Sequence, residues 1–183
     1  RFFLLAGLLN KFAGPIKTYI DDFRWTVARV AFTLALISLA TIAGAWIFEA
    51  FGYLPCELCL KQRIAYYVGV PLAAVTYLLA SKNISTARAL LTASALLWFG
   101  SALFGVYHSG VEWGFWPGPT ACTGSGASAS DMDIFMKQLQ TTQVVQCDKV
   151  AIRIFGLSLA GWNAVISAGM SALALVGARA KEA

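Results

Sequence analysis

The residues best equipped for chemistry in this chain are its four cysteines, Cys56, Cys59, Cys122 and Cys147. The first two stand three apart in "LPCELCLKQR", with Arg63 four residues after the second. Two thiols at that spacing can close a disulfide, exchange with a foreign one or hold a metal, and C-x-x-C alone does not choose among these. Its surroundings are more specific. Both thiols stand at the mouth of an apolar segment, where the positive end of a helix dipole favours a thiolate. Arg63 follows one turn along the same face and adds positive charge. Thiolate is the nucleophile of disulfide exchange, so the pattern points to a redox-active pair; a structural disulfide would need neither influence. Long-range staples to a second loop are the plainer alternative. A four-thiolate zinc site fits less well, because such sites usually pair two short C-x-x-C spacings, whereas Cys122 and Cys147 are 25 positions apart. No metal is expected.

Two more residues can take part. An arginine at the end of a span commonly anchors in the headgroups, yet Arg63, beside a thiolate, is equally placed to hydrogen-bond an acceptor such as a carbonyl or an anion. His108 is the only histidine and sits in "GVYHSGVEW" at the end of an apolar run. A polar helix cap is the commoner use of such a residue, and a functional role the alternative.

These residues are carried by membrane segments. With 58% hydrophobic and 13% charged residues in 183, the chain departs from soluble domains, of which about 25% is charged. Four nearly charge-free windows, 30–48, 64–81, 89–107 and 154–176, approach the roughly 20 apolar residues that cross a bilayer. The second holds Pro71, where a kink is expected. The expected fold is therefore all-α, a four-helix transmembrane bundle with both termini on one side. Nine basic residues fall on the terminal side (Arg1, Lys11, Lys17, Arg24, Arg29, Lys82, Arg88, Arg179, Lys181) and five on the other (Lys61, Arg63, Lys137, Lys149, Arg153). The positive-inside rule then makes the termini cytoplasmic. The net charge of +5 reflects this topology, and no nucleic-acid binding is read from it. All four cysteines fall in the two loops of the opposite side, where disulfides form and persist.

The organisation expected is a cytoplasmic amphipathic segment over residues 1–25, with apolar residues from Leu5 to Phe23 at helical spacing, a four-span domain over 26–178 and a tail over 179–183. The first outer loop, about 49–60, is short. The second, about 108–153, opens with Gly, Pro, Ser and Trp typical of loops, including the interfacial anchors Trp113 and Trp116. Within it "DMDIFMKQLQ" sets Met132, Phe135, Met136 and Leu139 on one face, as a short interfacial helix would. Small residues four apart, Ala40 and Gly44, Ser101 and Gly105, and Ala160, Ala164 and Ala168, would let spans approach closely.

The order of four spans, with "CELCLKQR" before the second, "YHSGVEWGFWPGPTAC" after the third and "QCDKVAIRIFGLSLAGWN" running into the fourth, resembles the DsbB family. These are quinone-dependent disulfide-bond-forming proteins of the bacterial inner membrane, and the likeness spans about 29–176. The resemblance implies a thiol:quinone oxidoreductase. Cys122 and Cys147 would oxidise a periplasmic DsbA-like thioredoxin-fold partner, Cys122 being the sulfur attacked. Electrons would pass to Cys56 and Cys59 through a transient link of Cys147 to Cys56. Cys59 would be the thiolate that meets the quinone (ubiquinone or menaquinone), Arg63 would support the quinone site, and His108 would lie near the ring. Such exchange runs through mixed disulfides. A quinone dissolves in lipid, which explains a dithiol mounted at the bilayer surface. The stretch before the first span and the "TGSGASASDMD" segment between the loop cysteines depart from familiar members, and the second bears on which partner docks. A reductase related to vitamin K epoxide reductase usually carries its C-x-x-C late in the chain, unlike this one. A disulfide-stapled scaffold would differ in resisting mild reductant.

Overall fold

The computed structural model describes the backbone over residues 2–119 and 146–179, with side chains from residue 24 onward. Cys122, the "DMDIFMKQLQ" segment and the tail from 180 lie outside the described residues.

Four helices dominate: α1 (Phe2–Ala50), α2 (Glu57–Ala80), α3 (Ile84–Glu112) and α4 (Leu159–Arg179). Each contains a stretch long and apolar enough to cross a membrane, α1 from Arg24 onward, and the protein is a multi-pass four-helix bundle. α3 packs most extensively on α4, α1 on α2 and α2 on α3, while α1 touches α4 only lightly. The chain thus goes around the bundle in sequence order, as short connections require. Large apolar side chains such as Leu78, Leu96, Phe99, Leu103 and Val176 face outward. With hydrocarbon as the solvent, that outward face costs nothing, and helices associate through close packing and polar contacts instead.

Those contacts are specific. A Cβ at Gly105 would lie 2.8 Å from the backbone nitrogen of Ala164, so α3 and α4 meet almost backbone to backbone. A Cβ at Gly69 would strike the ring of Trp98, which is fully buried and lies 5.0 Å from the Tyr66 ring. Tyr66 Oη donates to Asn163 Oδ1 at 2.6 Å, Ser101 and Ser167 pair their hydroxyls at 3.0 Å, and Ser171 donates to the Ala95 carbonyl. At the far end from the cysteines Asn83 caps α3, accepting from the Thr86 N–H, and Arg88 donates to the carbonyl of Ala178 near the end of α4.

The helices differ from the sequence expectation at their ends. α1 runs without a break through residues 25 and 26, so no turn separates an N-terminal segment from the first span. α2 starts at Glu57, seven residues before the expected 64, and continues through Pro71. Polar and charged residues in its first two turns hid that start from a hydropathy reading. α3 reaches Glu112 instead of ending at 107, because Ser109 and Gly110, read as loop residues, are helical. A Cβ at Gly110 would strike the ring of Trp116. Trp116 folds back over this turn, donating from Nε1 to the Tyr107 carbonyl and stacking on the Tyr107 ring. The expected start of span four at 154 moves to 159, because 153–158 form a hairpin of β1 (Arg153–Ile154) and β2 (Leu157–Ser158). Phe155 and Gly156 both take positive φ, 52° and 84°, the signature of a two-residue type I′ turn. Ser158 Oγ then caps α4 by accepting the Gly161 N–H.

Candidate functional site

At the cysteine-bearing end, the chain leaves α1, turns at Gly52 with φ 91° and enters α2 at Cys56. That residue is the N-cap of α2, and its sulfur accepts the backbone N–H of Cys59 at 3.3 Å. A thiol here does what serine or aspartate usually does, satisfying one of the orphan donors of the first turn. The same turn brings Cys59 Sγ to 3.0 Å from Cys56 Sγ. Both cysteines are free. From α3, His108 reaches across with Nε2 3.6 Å from Cys56 Sγ.

Either thiol could donate to the other. The Cys59 N–H and the His108 ring both converge on Cys56 Sγ, so the shared proton belongs on Cys59 and the negative charge on Cys56. Hydrogen bonding from Cys59, foremost, and from His108 holds the Cys56 thiol down to about 4 from its ordinary 9.0, while burial pushes the other way. Electropositive surroundings of this kind make reactive thiolates.

Cys147 arrives from the second loop, fully buried, in one cluster with Cys56 and Leu58, flanked by Cys59 and Phe104. It is disulfide-bonded, to neither Cys56 nor Cys59, since both are free. A free dithiol and a disulfide-bonded cysteine from a distant part of the chain therefore share one apolar nest. Beside them a cavity of about 40 Å³ is lined by Leu54, Cys56, Cys59, His108, Glu112 and Leu159, among others.

Arg63 is placed otherwise than Cys59 and His108. Its guanidinium pairs with the carboxylate of Glu49 at the end of α1, it does not line the cavity, and it is not among the groups that depress Cys56. Glu112 was not singled out in the sequence. Its side chain is only 7% exposed, one oxygen lies 4.0 Å from His108 Nε2, and its carboxylate is partnered by the Ser158 hydroxyl of β2. The signal was the four-residue spacing from His108, which puts both on one helical face. Ending the span at 107 concealed it.

Residues 27–177 match the family described as "Disulfide bond formation protein DsbB". The chain belongs to the DsbB family. This family acts in membrane disulfide bond formation, so the protein is a membrane oxidoreductase of that process. A relative of this chain is "Uncharacterized protein RP370" of Rickettsia prowazekii (strain Madrid E), 28% identical over 153 residues that cover 81% of this chain and 85% of that one. No solved structure matches. Within the matched DsbB stretch fall all four cysteines, Arg63, His108 and Glu112.

Proposed function

We propose that the protein reoxidises a periplasmic DsbA-like thioredoxin-fold disulfide donor and passes the electrons through its two cysteine pairs to a membrane quinone. The observation that carries this reading is the burial of disulfide-bonded Cys147 in one cluster with Cys56. Exchange requires a thiolate to reach a disulfide sulfur, and here cysteines from the two loops are already buried in one cluster.

The electron pair moves in balanced steps. A thiolate of the reduced partner attacks Cys122 Sγ of a Cys122–Cys147 disulfide, forming a mixed disulfide and releasing Cys147 as thiolate. The partner's second thiolate then resolves the mixed disulfide and leaves oxidised. The loop dithiol in turn reduces a Cys56–Cys59 disulfide through a Cys147–Cys56 link, which releases the Cys59 thiolate. Cys56 is a good leaving and resting sulfur, because the helix cap and His108 stabilise its negative charge.

The residues also suit a quinone, ubiquinone or menaquinone. His108 Nδ1 and Gln62 Nε2 are buried without a partner among the described residues, and such nitrogens can donate to carbonyl oxygens. Leu60 and Ile64 beside Cys59 are exposed apolar surface, suited to a lipid-soluble molecule arriving sideways. Cys59 is the donor sulfur in this scheme, a thiolate while Cys56 is held in the link to Cys147; His108 is the hydrogen-bonding group, and Arg63 a support through its pairing with Glu49. When bound, the quinone supplies a sink for two electrons and two protons. The remaining parts of the reading are a location in the bacterial inner membrane, termini in the cytoplasm and the cysteine loops in the periplasm.

The test is quinone reduction by the purified protein in detergent, followed by absorbance, with a reduced thioredoxin-fold oxidase as donor. Serine at any of the four cysteine positions is expected to abolish turnover, while Cys59→Ser still traps the partner on Cys122. Full turnover in Cys59→Ser would sink the relay. No turnover by folded protein with several donors and quinones would favour a stapled scaffold.

A further inference from the structure

Three ligand atoms of different chemistry converge at the cysteine end: Cys56 Sγ, Cys59 Sγ and His108 Nε2 all lie within 4.8 Å of one another. A fourth, Glu112 Oε1, lies 4.0 Å from His108 Nε2. We propose that these four residues form a zinc site that exists only while the Cys56–Cys59 pair is reduced. Zinc here would be an inhibitory ligand and not a resident cofactor.

The ligand set and its spacing carry the argument. Two thiolates and an imidazole, completed by a carboxylate or water, are a zinc donor set, and soft sulfur ligands disfavour magnesium and calcium. Tetrahedral zinc with bonds of about 2.3 Å to sulfur and about 2.0 Å to nitrogen needs sulfurs about 3.8 Å apart and sulfur to nitrogen about 3.5 Å. The observed separations are 3.0 Å between the sulfurs and 3.6 Å from Cys56 Sγ to His108 Nε2. A small opening of the dithiol is enough, and Cys59 is only partly buried. The Glu112 carboxylate lies outside that 4.8 Å cluster and must move in by more than about an ångström, or leave the fourth position to water. Four cysteines with distant spacings argued against zinc, but this set is different: it takes one pair of thiols and completes it from α3.

The redox condition follows from atom count. A Cys56–Cys59 disulfide occupies both sulfurs and leaves only His108 and Glu112, too few to hold the ion. Binding to the dithiol involves no electron transfer: zinc replaces whatever thiol protons remain, and those protons go to solvent. If the relay proposed above is correct, zinc holds the electron pair on the two sulfurs and stops turnover. Arg153 acts on the Glu112 carboxylate electrostatically and offsets part of its charge, so Glu112 is the ligand that water replaces most easily.

The experiment uses full-length protein in detergent on a C122S/C147S background, reduced with a phosphine, desalted and titrated with zinc against a chromophoric chelator. One zinc per chain is expected. Binding is lost in C59S and after diamide oxidation, weakened at least tenfold in H108A and less in E112Q. X-ray absorption on the chain without the last three changes should show two sulfur neighbours and lighter atoms, which tests the site even if H108A does not fold. Absence of stoichiometric zinc, or zinc retained after oxidation or in C59S, would overturn the proposal and mark the metal as adventitious. No readout uses quinone or a thiol donor. Zinc binding without quinone reduction would therefore sink the relay alone, and quinone reduction without zinc binding would sink only this inference.

Discussion

Cys56 is set apart from Cys59 by a single turn of helix. Both stand at the start of α2, but only Cys56 occupies the cap, where the Cys59 N–H and His108 Nε2 converge on one sulfur. The consequence is a thiolate on Cys56 in the reduced pair, and a stabilised thiolate makes the corresponding disulfide easier to reduce. Because the Cys56 pKa is lowered, to about 4, the charge should persist as pH falls from neutrality and disappear only on approach to that value. Followed by thiolate ultraviolet absorbance in reduced protein lacking the loop pair, one of the two thiols should stay ionised at pH 6. His108→Ala removes one of the stabilising hydrogen bonds, so its midpoint should move upward. The absence of any thiolate at pH 6 with His108 in place would contradict the cap geometry. Arg63 gives the opposite lesson: close in sequence to a thiol, it spends its charge on Glu49.

Among the helices, α3 is the element on which the site depends, since it contributes His108 and Glu112 and packs on α4 over most of its length. That packing requires Gly105, whose missing side chain lets the Ala164 backbone approach. Gly100, one turn and a little more earlier on α3, has open space where its Cβ would be. Gly105→Ala should therefore lower the thermal midpoint in detergent, by about 1–3 kcal/mol of overpacking. Gly100→Ala should be neutral or slightly stabilising, since alanine is the better helix former by about 0.5–1 kcal/mol. Equal effects of the two substitutions would mean that α3 and α4 do not meet as described. The small residues of α1 behave differently: Ala40 is exposed and Gly44 has no neighbour within 4 Å of an added Cβ. Small spacing on a helix allows close approach and does not ensure a partner.

Across the whole molecule, the thiols and the larger share of basic residues fall at opposite ends. The free dithiol, the Cys147 disulfide, His108 and Glu112 gather at one end of the bundle, while Lys82 and Arg88 mark the other. The excess of basic residues on that other side predicts that it faces the cytoplasm. Lys82 and Asp148 are both exposed and report the two ends. In a chain otherwise free of cysteine, Asp148→Cys should react with a membrane-impermeant maleimide in intact spheroplasts, and Lys82→Cys only after the membrane is opened. The reverse result would put the thiols in a reducing compartment and contradict the proposed relay.

The number of membrane helices and the bundle class were legible in the sequence, because the length of an apolar run is a local property of a chain. The family was legible from the combination of "CELCLKQR", the cysteine pair of the second loop and "GLSLAGWN". Helix ends were not. Glu57 to Arg63 and Ser109 to Glu112 look too polar or too small to extend a span, yet a cap at Cys56 and the ring of Trp116 over Gly110 extend helix through both. Three things were decided only by tertiary structure: that Cys147 is buried in one cluster with Cys56, that His108 selects Cys56 over Cys59, and that Glu112 joins His108. The first is a contact between segments tens of residues apart, the second a choice between two like groups and the third an extension of α3, and these depend on how α2, α3 and the second loop pack together, which no local pattern encodes.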